Sequence, residues 1–312
     1  MSIKNIFSKN KSEYRKDYLL DRYVLITPGR AKRPRDVVEQ TILKRNESCA
    51  FCLENIVHKN IVDSIGGKVW DVLSVKNIFP AVTIGNSSAY GVQEVIIDTP
   101  DHNKELADLS VAHIEKVLKM YAKRTAELSK RKKIEYIECF KNQGSKAGAS
   151  LTHAHSQVFA TNVIPTLLKE EYNLIQDHKK KHNHCPYCET IKKELKSTRK
   201  IFEDKHIAVF SPYASAYHYE AWILTKKHVD NISQITNVEI KSIALALKNL
   251  LLKMQSLDMS FNMFMHEVVS FRDQHFYIKI QPRESVWAGV ELGSGIIINS
   301  VSPELAAKFY RS

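Results

Sequence analysis

The chain has 312 residues, 44% of them hydrophobic, which suits one large or two medium domains and excludes disorder as a global state. No apolar run is long enough to span a membrane, and the first residues lack the apolar segment and small-residue cleavage site of a secretory signal, so the cytoplasm is the expected compartment. The formal net charge of +12 fits phosphorylated small molecules as partners; polymeric nucleic acid is not expected, because the lysines are scattered apart from Lys179–Lys181 and form no arginine-rich groove or basic–aromatic repeat.

In chain order, the pattern predicts a strand near 23–27 and then Cys49-Ala-Phe-Cys52. Strands near 70–75 and 92–98 lead to His102. A helix near 110–128 follows, capped by Ser110 and carrying Leu109, Ile114, Val117, Leu118, Tyr121 and Leu128 at helical spacing. The apolar run near 134–141 reads as a strand with Cys139 as a small core residue. Beyond it lies a small, glycine-bearing loop that ends in His153-Ala-His155-Ser-Gln157, with a strand near 155–160. A charged helix near 166–180 precedes Cys185-Pro-Tyr-Cys188. Strands near 206–211 and 219–225 lead to His228, then to a helix near 238–256 with Asn237 as its cap. Strands near 261–268 and 275–281 and a helix near 303–310 complete the chain.

This order is written twice. Each copy runs Cys-x-x-Cys, strand, His, helix, strand, His, and Glu94 precedes His102 by the same interval as Glu220 precedes His228. Two such copies indicate a duplicated unit. The charged segment 166–184 marks the boundary, dividing the chain into 1–165 and 166–312. Strands cluster around helices without strict alternation, so the expected class is α+β with a largely antiparallel sheet.

Two thiolates and two imidazoles per copy make the Cys₂His₂ set that suits tetrahedral zinc. The expected ligands are Cys49, Cys52, His102 and His153 in the first copy, and Cys185, Cys188, His228 and His275 in the second. Histidines so far from the cysteines exclude a small zinc finger, and a redox-active pair is the weaker reading of two matched Cys-x-x-Cys runs. His182, His184, His218 and His266 leave the second set open to other ligands.

The copies differ in one row. If extended, His153, His155 and Gln157 line one face in steps of about 7 Å. The corresponding residues of the second copy are His275, Tyr277 and Lys279. The first copy therefore keeps a second imidazole beyond its metal ligand. His155 is the expected nucleophile toward a phosphorus atom. Gln157 cannot serve as a general acid, but it can bond non-bridging oxygens, which suits a phosphate leaving group that departs unprotonated.

These residues carry a family resemblance. Phe140-Lys-Asn-Gln-Gly together with His153-x-His155-x-Gln157 resembles the active-site segment of galactose-1-phosphate uridylyltransferases, in the transferase branch of the histidine-triad superfamily. Leu25-Ile-Thr-Pro-Gly-Arg-Ala-Lys-Arg-Pro34, Val75-Lys-Asn77-Ile-Phe-Pro80, Thr99-Pro-Asp-His102 and Gly289-Val-Glu291-Leu-Gly293 resemble further segments of that family. The resemblance implies two histidine-triad-like units sharing a half-barrel sheet, the first one catalytic. It also implies ping-pong transfer of UMP between a UDP-sugar and a hexose 1-phosphate through His155. Arg30, Arg33 and Asn77 would hold the nucleotide, with Asn142, Ser150 and Gln157 on its phosphates. A homodimer is implied, with Glu291 serving the sugar of a neighbouring subunit's site. Ala154 departs from the family's proline, and the Gly-Val-Glu-Leu-Gly-Ser-Gly run with the second Cys-x-x-Cys looks more like the branch that includes ADP-glucose phosphorylase. A phosphorylase acting on ADP-glucose or a dinucleoside polyphosphate is therefore the alternative enzyme. A zinc-stabilised nucleotide- or RNA-binding protein is the non-enzymatic one.

Overall fold

The computed structural model describes residues 12–28, 49–67 and 69–312. Among these, the largest element is a ten-stranded sheet built from β3 (Ile61–Gly66), β4 (Trp70–Lys76), β5 (Gly91–Ile97), β6 (Tyr136–Gln143), β7 (His155–Thr161), β8 (Lys200–Glu203), β9 (Ile207–Phe210), β10 (Ala221–Thr225), β11 (Phe261–Val268) and β12 (Tyr277–Pro282). The order across it is β3-β4-β5-β7-β6-β11-β12-β10-β9-β8, antiparallel throughout and open at both edges. From the centre outward, β6, β7, β5, β4, β3 mirror β11, β12, β10, β9, β8, so the repeat read from sequence is also a repeat in space. The copies join where β6 pairs with β11, with Asn142 opposite Asn262 and Phe140 opposite Phe264. A second, three-stranded sheet holds β1 (Glu13–Lys16), β2 (Tyr23–Ile26) and β13 (Ile297–Asn299).

Two long helices, α1 (Val111–Ser129) and α4 (Asn237–Gln255), pack together and cover one face of the large sheet. Ser110 caps α1 by accepting from the His113 amide. The cap of α4 is Thr236, not Asn237. Thr236 accepts from the Glu239 amide while the Glu239 carboxylate accepts from the Thr236 N–H, and this reciprocal pair satisfies two orphan donors where a lone Asn cap satisfies one. Strand alternation supplies the inner face: Val72, Ile96, Ile137, Val158, Ile223, Met263 and Ile278 all turn toward the helices.

The opposite face differs between the copies. In the second copy, Phe210, Trp222, Leu224 and Tyr277 are covered by α2 (Thr166–His182) and α3 (Pro186–Glu194), through Ile175, Tyr187 and Ile191. In the first copy, Leu73, Val75, Val95 and Ile97 meet Phe51, Ile56, Ile61 and Trp70 from the Cys-x-x-Cys segment and its flanks. That cover is partial and leaves an open cavity. Two further helices, α5 (Gly289–Ser294) and α6 (Pro303–Arg311), follow β12.

Candidate active site

The open face of the first copy carries the cavity, of about 600 Å³, within the range of small-molecule sites. Val75 and Val95 supply its apolar wall. Asn77, Ser150, His155 and Gln157 line it, with Phe51 and Phe79 at its sides. A second cavity of about 210 Å³ also touches His155 and is lined by Asn142, Gly144 and Glu105. Asn77, Asn142, Ser150, His155 and Gln157 thus gather around two connected spaces that share one imidazole. Glu291 lines neither. It sits on α5, where its carboxylate accepts from the Ala288 amide and closes the helix's own capping box. Arg30 and Arg33 lie outside the described residues.

The row His153–Gln157 is strand only from His155 onward. His153 and Ala154 precede β7, although the Ala154 carbonyl still accepts from the Asp98 amide and so extends the pairing with β5. The reason is local: the His153 carbonyl is turned to accept from its own neighbour's ring, His155 Nδ1, at 2.8 Å. A carbonyl only accepts, so Nδ1 carries the proton and Nε2 keeps its lone pair. Burial is the main cause lowering the His155 pKa from the usual imidazole value; the bonded carbonyl opposes this and the Lys141 ammonium adds to it. The ring is a neutral imidazole with a fixed tautomer, and Phe51 packs beside it with ring centroids 5.1 Å apart.

Behind the row lies a buried polar network that the motifs did not reveal. Lys141 Nζ donates to Asp98 Oδ2 at 3.0 Å and to the His155 carbonyl at 3.2 Å. Ser156 donates to Asp98 and accepts from Tyr121 at 2.5 Å. Lys141 and Asp98 are 1% and 0% exposed, so the pair is fully desolvated and fixes the backbone of the catalytic row. One signal was readable. Lys141 shares strand parity with Ile137 and Cys139, and a lysine on a buried face requires an anionic partner.

Cys49, Cys52, His102 and His153 place one ligand atom each within 4.8 Å of one another. His153 Nε2 donates to the Thr99 carbonyl at 2.8 Å, which leaves the Nδ1 lone pair facing Cys49 Sγ at 3.6 Å and Cys52 Sγ at 3.8 Å. A second-atom bond of this kind is what orients a metal-ligating imidazole. The donor set and tautomer fit a tetrahedral metal ion. In the second copy the mutually close set is Cys185, Cys188 and His228. His275 stands beside His228 with ring centroids 5.0 Å apart and 80° between planes, close to the 5.1 Å and 83° of His102 and His153. Its Nδ1 bonds the Phe276 carbonyl, and its buried Nε2 has no partner among the described residues. The structure therefore brings His275 to the edge of the second cluster and not into it.

The second copy has no counterpart to the nucleophile. Tyr277 occupies that place and donates to Glu171 at 3.2 Å, beneath α2, while Lys279 rests its ammonium 4.0 Å from the Tyr277 ring centre. The face is filled.

A family model described as galactose-1-phosphate uridyl transferase, N-terminal domain, matches residues 71–165. ADP-glucose phosphorylase of Arabidopsis thaliana is 30% identical over 96% of this chain and 92% of its own length. Galactose-1-phosphate uridylyltransferase of Thermotoga maritima is 28% identical over 96% of this chain and 98% of its own. The crystal structure of the Arabidopsis ADP-glucose phosphorylase with bound ADP-glucose superposes with a TM-score of 0.86 at 28% identity, covering 97% of this chain and 99% of that one. The chain belongs to the galactose-1-phosphate uridylyltransferase family. Its fold is that of the family's histidine-triad-like proteins, and its activity is of the nucleotidyl-transfer class.

Proposed function

We propose that the protein moves a nucleotidyl group from a nucleoside-diphosphate sugar to a phosphate-bearing acceptor through a covalent bond to His155. The observation that carries this reading is the His155–His153 hydrogen bond, which leaves Nε2 as an unprotonated nucleophile at the wall of both cavities. Nε2 attacks the α-phosphorus. The N–P bond forms as the bond from phosphorus to the bridging oxygen breaks, and that oxygen leaves with the electron pair as part of a sugar phosphate. The Nδ1 proton stays on the His153 carbonyl. In the second half-reaction an acceptor phosphate oxygen attacks the same phosphorus and the N–P electron pair returns to Nε2. No proton changes hands at the leaving oxygen, which fits Gln157 in place of an acid. Donors on the non-bridging oxygens would come from Gln157, Asn142 and Ser150, and Asn77 would meet the nucleotide.

The first reading of the substrates is UMP carried between a UDP-sugar and hexose 1-phosphate. The second is release from ADP-glucose by inorganic phosphate, favoured by the full-length likeness to a phosphorylase bound to ADP-glucose. Zinc is the metal the Cys₂His₂ donors suit, with a structural role in holding the Cys49–Cys52 loop against the row. Residues 1–165 then act as the catalytic half and 166–312 as a supporting half. A cytoplasmic homodimer is proposed with them, in which Glu291 reaches the partner's sugar site.

The test is intact-mass measurement after incubation with UDP-glucose or ADP-glucose, followed by a panel crossing both with galactose 1-phosphate, glucose 1-phosphate and phosphate. A nucleotidyl adduct lost in His155→Ala is expected. An adduct that survives that substitution, or its absence with both donors, would sink the proposal.

A further inference from the structure

The amides of the site share a feature that single residues do not show. Each has its carbonyl oxygen already engaged. Asn77 Oδ1 accepts from the Phe79 amide at 2.9 Å. Gln157 Oε1 accepts from Gln93 Nε2 at 3.1 Å. Asn142 Oδ1 accepts from Asn262 Nδ2 at 2.8 Å. The last two depend on which way round a second amide sits, and in both cases a backbone group decides it. Gln93 Oε1 accepts from the Ala81 N–H at 2.9 Å; a backbone N–H only donates, so the Gln93 NH₂ must face Gln157. Asn262 Nδ2 donates to the Ala147 carbonyl at 2.9 Å; a carbonyl only accepts, so the Asn262 NH₂ must face Asn142.

Sequence separation hides both relays, and sheet register makes them. Gln157 lies opposite Val95 on β5, so Gln93 is its diagonal neighbour on the same face. Asn142 lies directly opposite Asn262 across the β6–β11 seam, which makes the relay to Asn142 a contribution of the second copy to the first copy's site.

Building on the proposed nucleotidyl transfer, we infer that Gln93 and Asn262 are positioning residues that set the polarity of the site, forcing Gln157 and Asn142 to present N–H donors and no carbonyl oxygen to the phosphates of the substrate. An amide free to turn would show its oxygen part of the time and repel an anion.

Gln93→Glu reverses the first relay without removing bulk. The carboxylate still accepts from Ala81 N–H but cannot donate, so Gln157 turns its NH₂ toward position 93 and its oxygen toward the phosphates. Asn262→Asp does the same to Asn142. Single-turnover labelling of His155 with UDP-glucose and, in parallel, with ADP-glucose is expected to slow by about a hundredfold in Gln93→Glu, the scale of losing a preorganised donor. Gln157→Ala should slow it comparably, and adding Gln93→Glu to Gln157→Ala should change nothing further, because the relay acts only through that amide. Asn262→Asp and Asn142→Ala should behave as a second such pair. Gln93→Leu, which neither donates nor accepts, serves where the added charge unfolds the protein; a smaller loss is expected, again absent in the Gln157→Ala background. Gln93→Glu within twofold of wild type while Gln157→Ala is impaired overturns the inference alone, as does an equal loss in both backgrounds, which marks a merely structural effect. Gln157→Ala labelling at the wild-type rate, or a wild type that labels with neither donor, overturns the site reading and the inference with it.

Discussion

Replacing Lys141 with Met leaves the Asp98 carboxylate buried and without its cation. At 3.0 Å and an effective dielectric of about 20, the attraction lost is about 5.5 kcal/mol. Desolvation of the ammonium, now avoided, offsets part of that, so breaking one side of the pair should cost about 3–5 kcal/mol. Spread over the unfolding entropy of a 312-residue chain, about 4 kcal/mol lowers the thermal midpoint by about 6 °C. Urea unfolding followed by fluorescence, with a thermal scan beside it, measures both. The partner substitution Asp98→Asn in the same chain removes the stranded charge but keeps an acceptor for Ser156. The double variant should therefore recover at least half of the loss. A Lys141→Met variant within about 1 kcal/mol of wild type, or a double variant no more stable than the single, would show that the pair is not the desolvated unit described.

Three further outcomes are expected. Burial raises the Glu267 carboxyl from 4.5 to about 7, so the stability it contributes is present below about pH 4.5 and lost as pH rises through about 7. Glu267→Gln, which still accepts from Asn231, should match wild type near pH 4 and exceed it by about 3 kcal/mol near pH 8; equal urea midpoints at pH 8 would contradict this. Elemental analysis should find zinc in the purified protein, and a strong chelator should lower its thermal midpoint; no bound metal, or a midpoint that chelator does not move, would refute the assignment. Gly144 has a φ of +80°, and a Cβ there would collide with the Ser260 hydroxyl and lie 2.9 Å from Ser260 Cβ. Gly144→Ala should cost about 2 kcal/mol or more, and Ser260→Gly should recover only part of it, because the backbone strain remains; full recovery in denaturant unfolding would assign the glycine to space alone.

Much of the molecule was legible along the chain. The order of Cys-x-x-Cys, histidine and helix in two copies, the antiparallel α+β class and the gathering of Cys49, Cys52, His102 and His153 rest on spacing and periodicity, which one chain carries without its fold. The Thr236-x-x-Glu239 cap was also present in the letters, though Asn237 beside it drew the assignment one residue along. The short strands β1, β3, β8 and β13 were missed because pairing partners, more than their own composition, make them strands.

Other features depend on residues that only folding makes neighbours. His155 and Tyr277 hold matching places in the repeat, and their types alone separate a nucleophile from a phenol. That one face stays open while the other is filled by Ile175, Tyr187 and Ile191 follows from where α2 and α3 come to rest. The same holds for the pairing of Lys141 with Asp98, and for the direction in which Gln157 and Asn142 present their amides. Sequence specifies which groups are available, since residue type and spacing are local properties; tertiary structure decides which of them meet, how they are turned and whether water reaches them, because those depend on registers and covering elements distant in the chain.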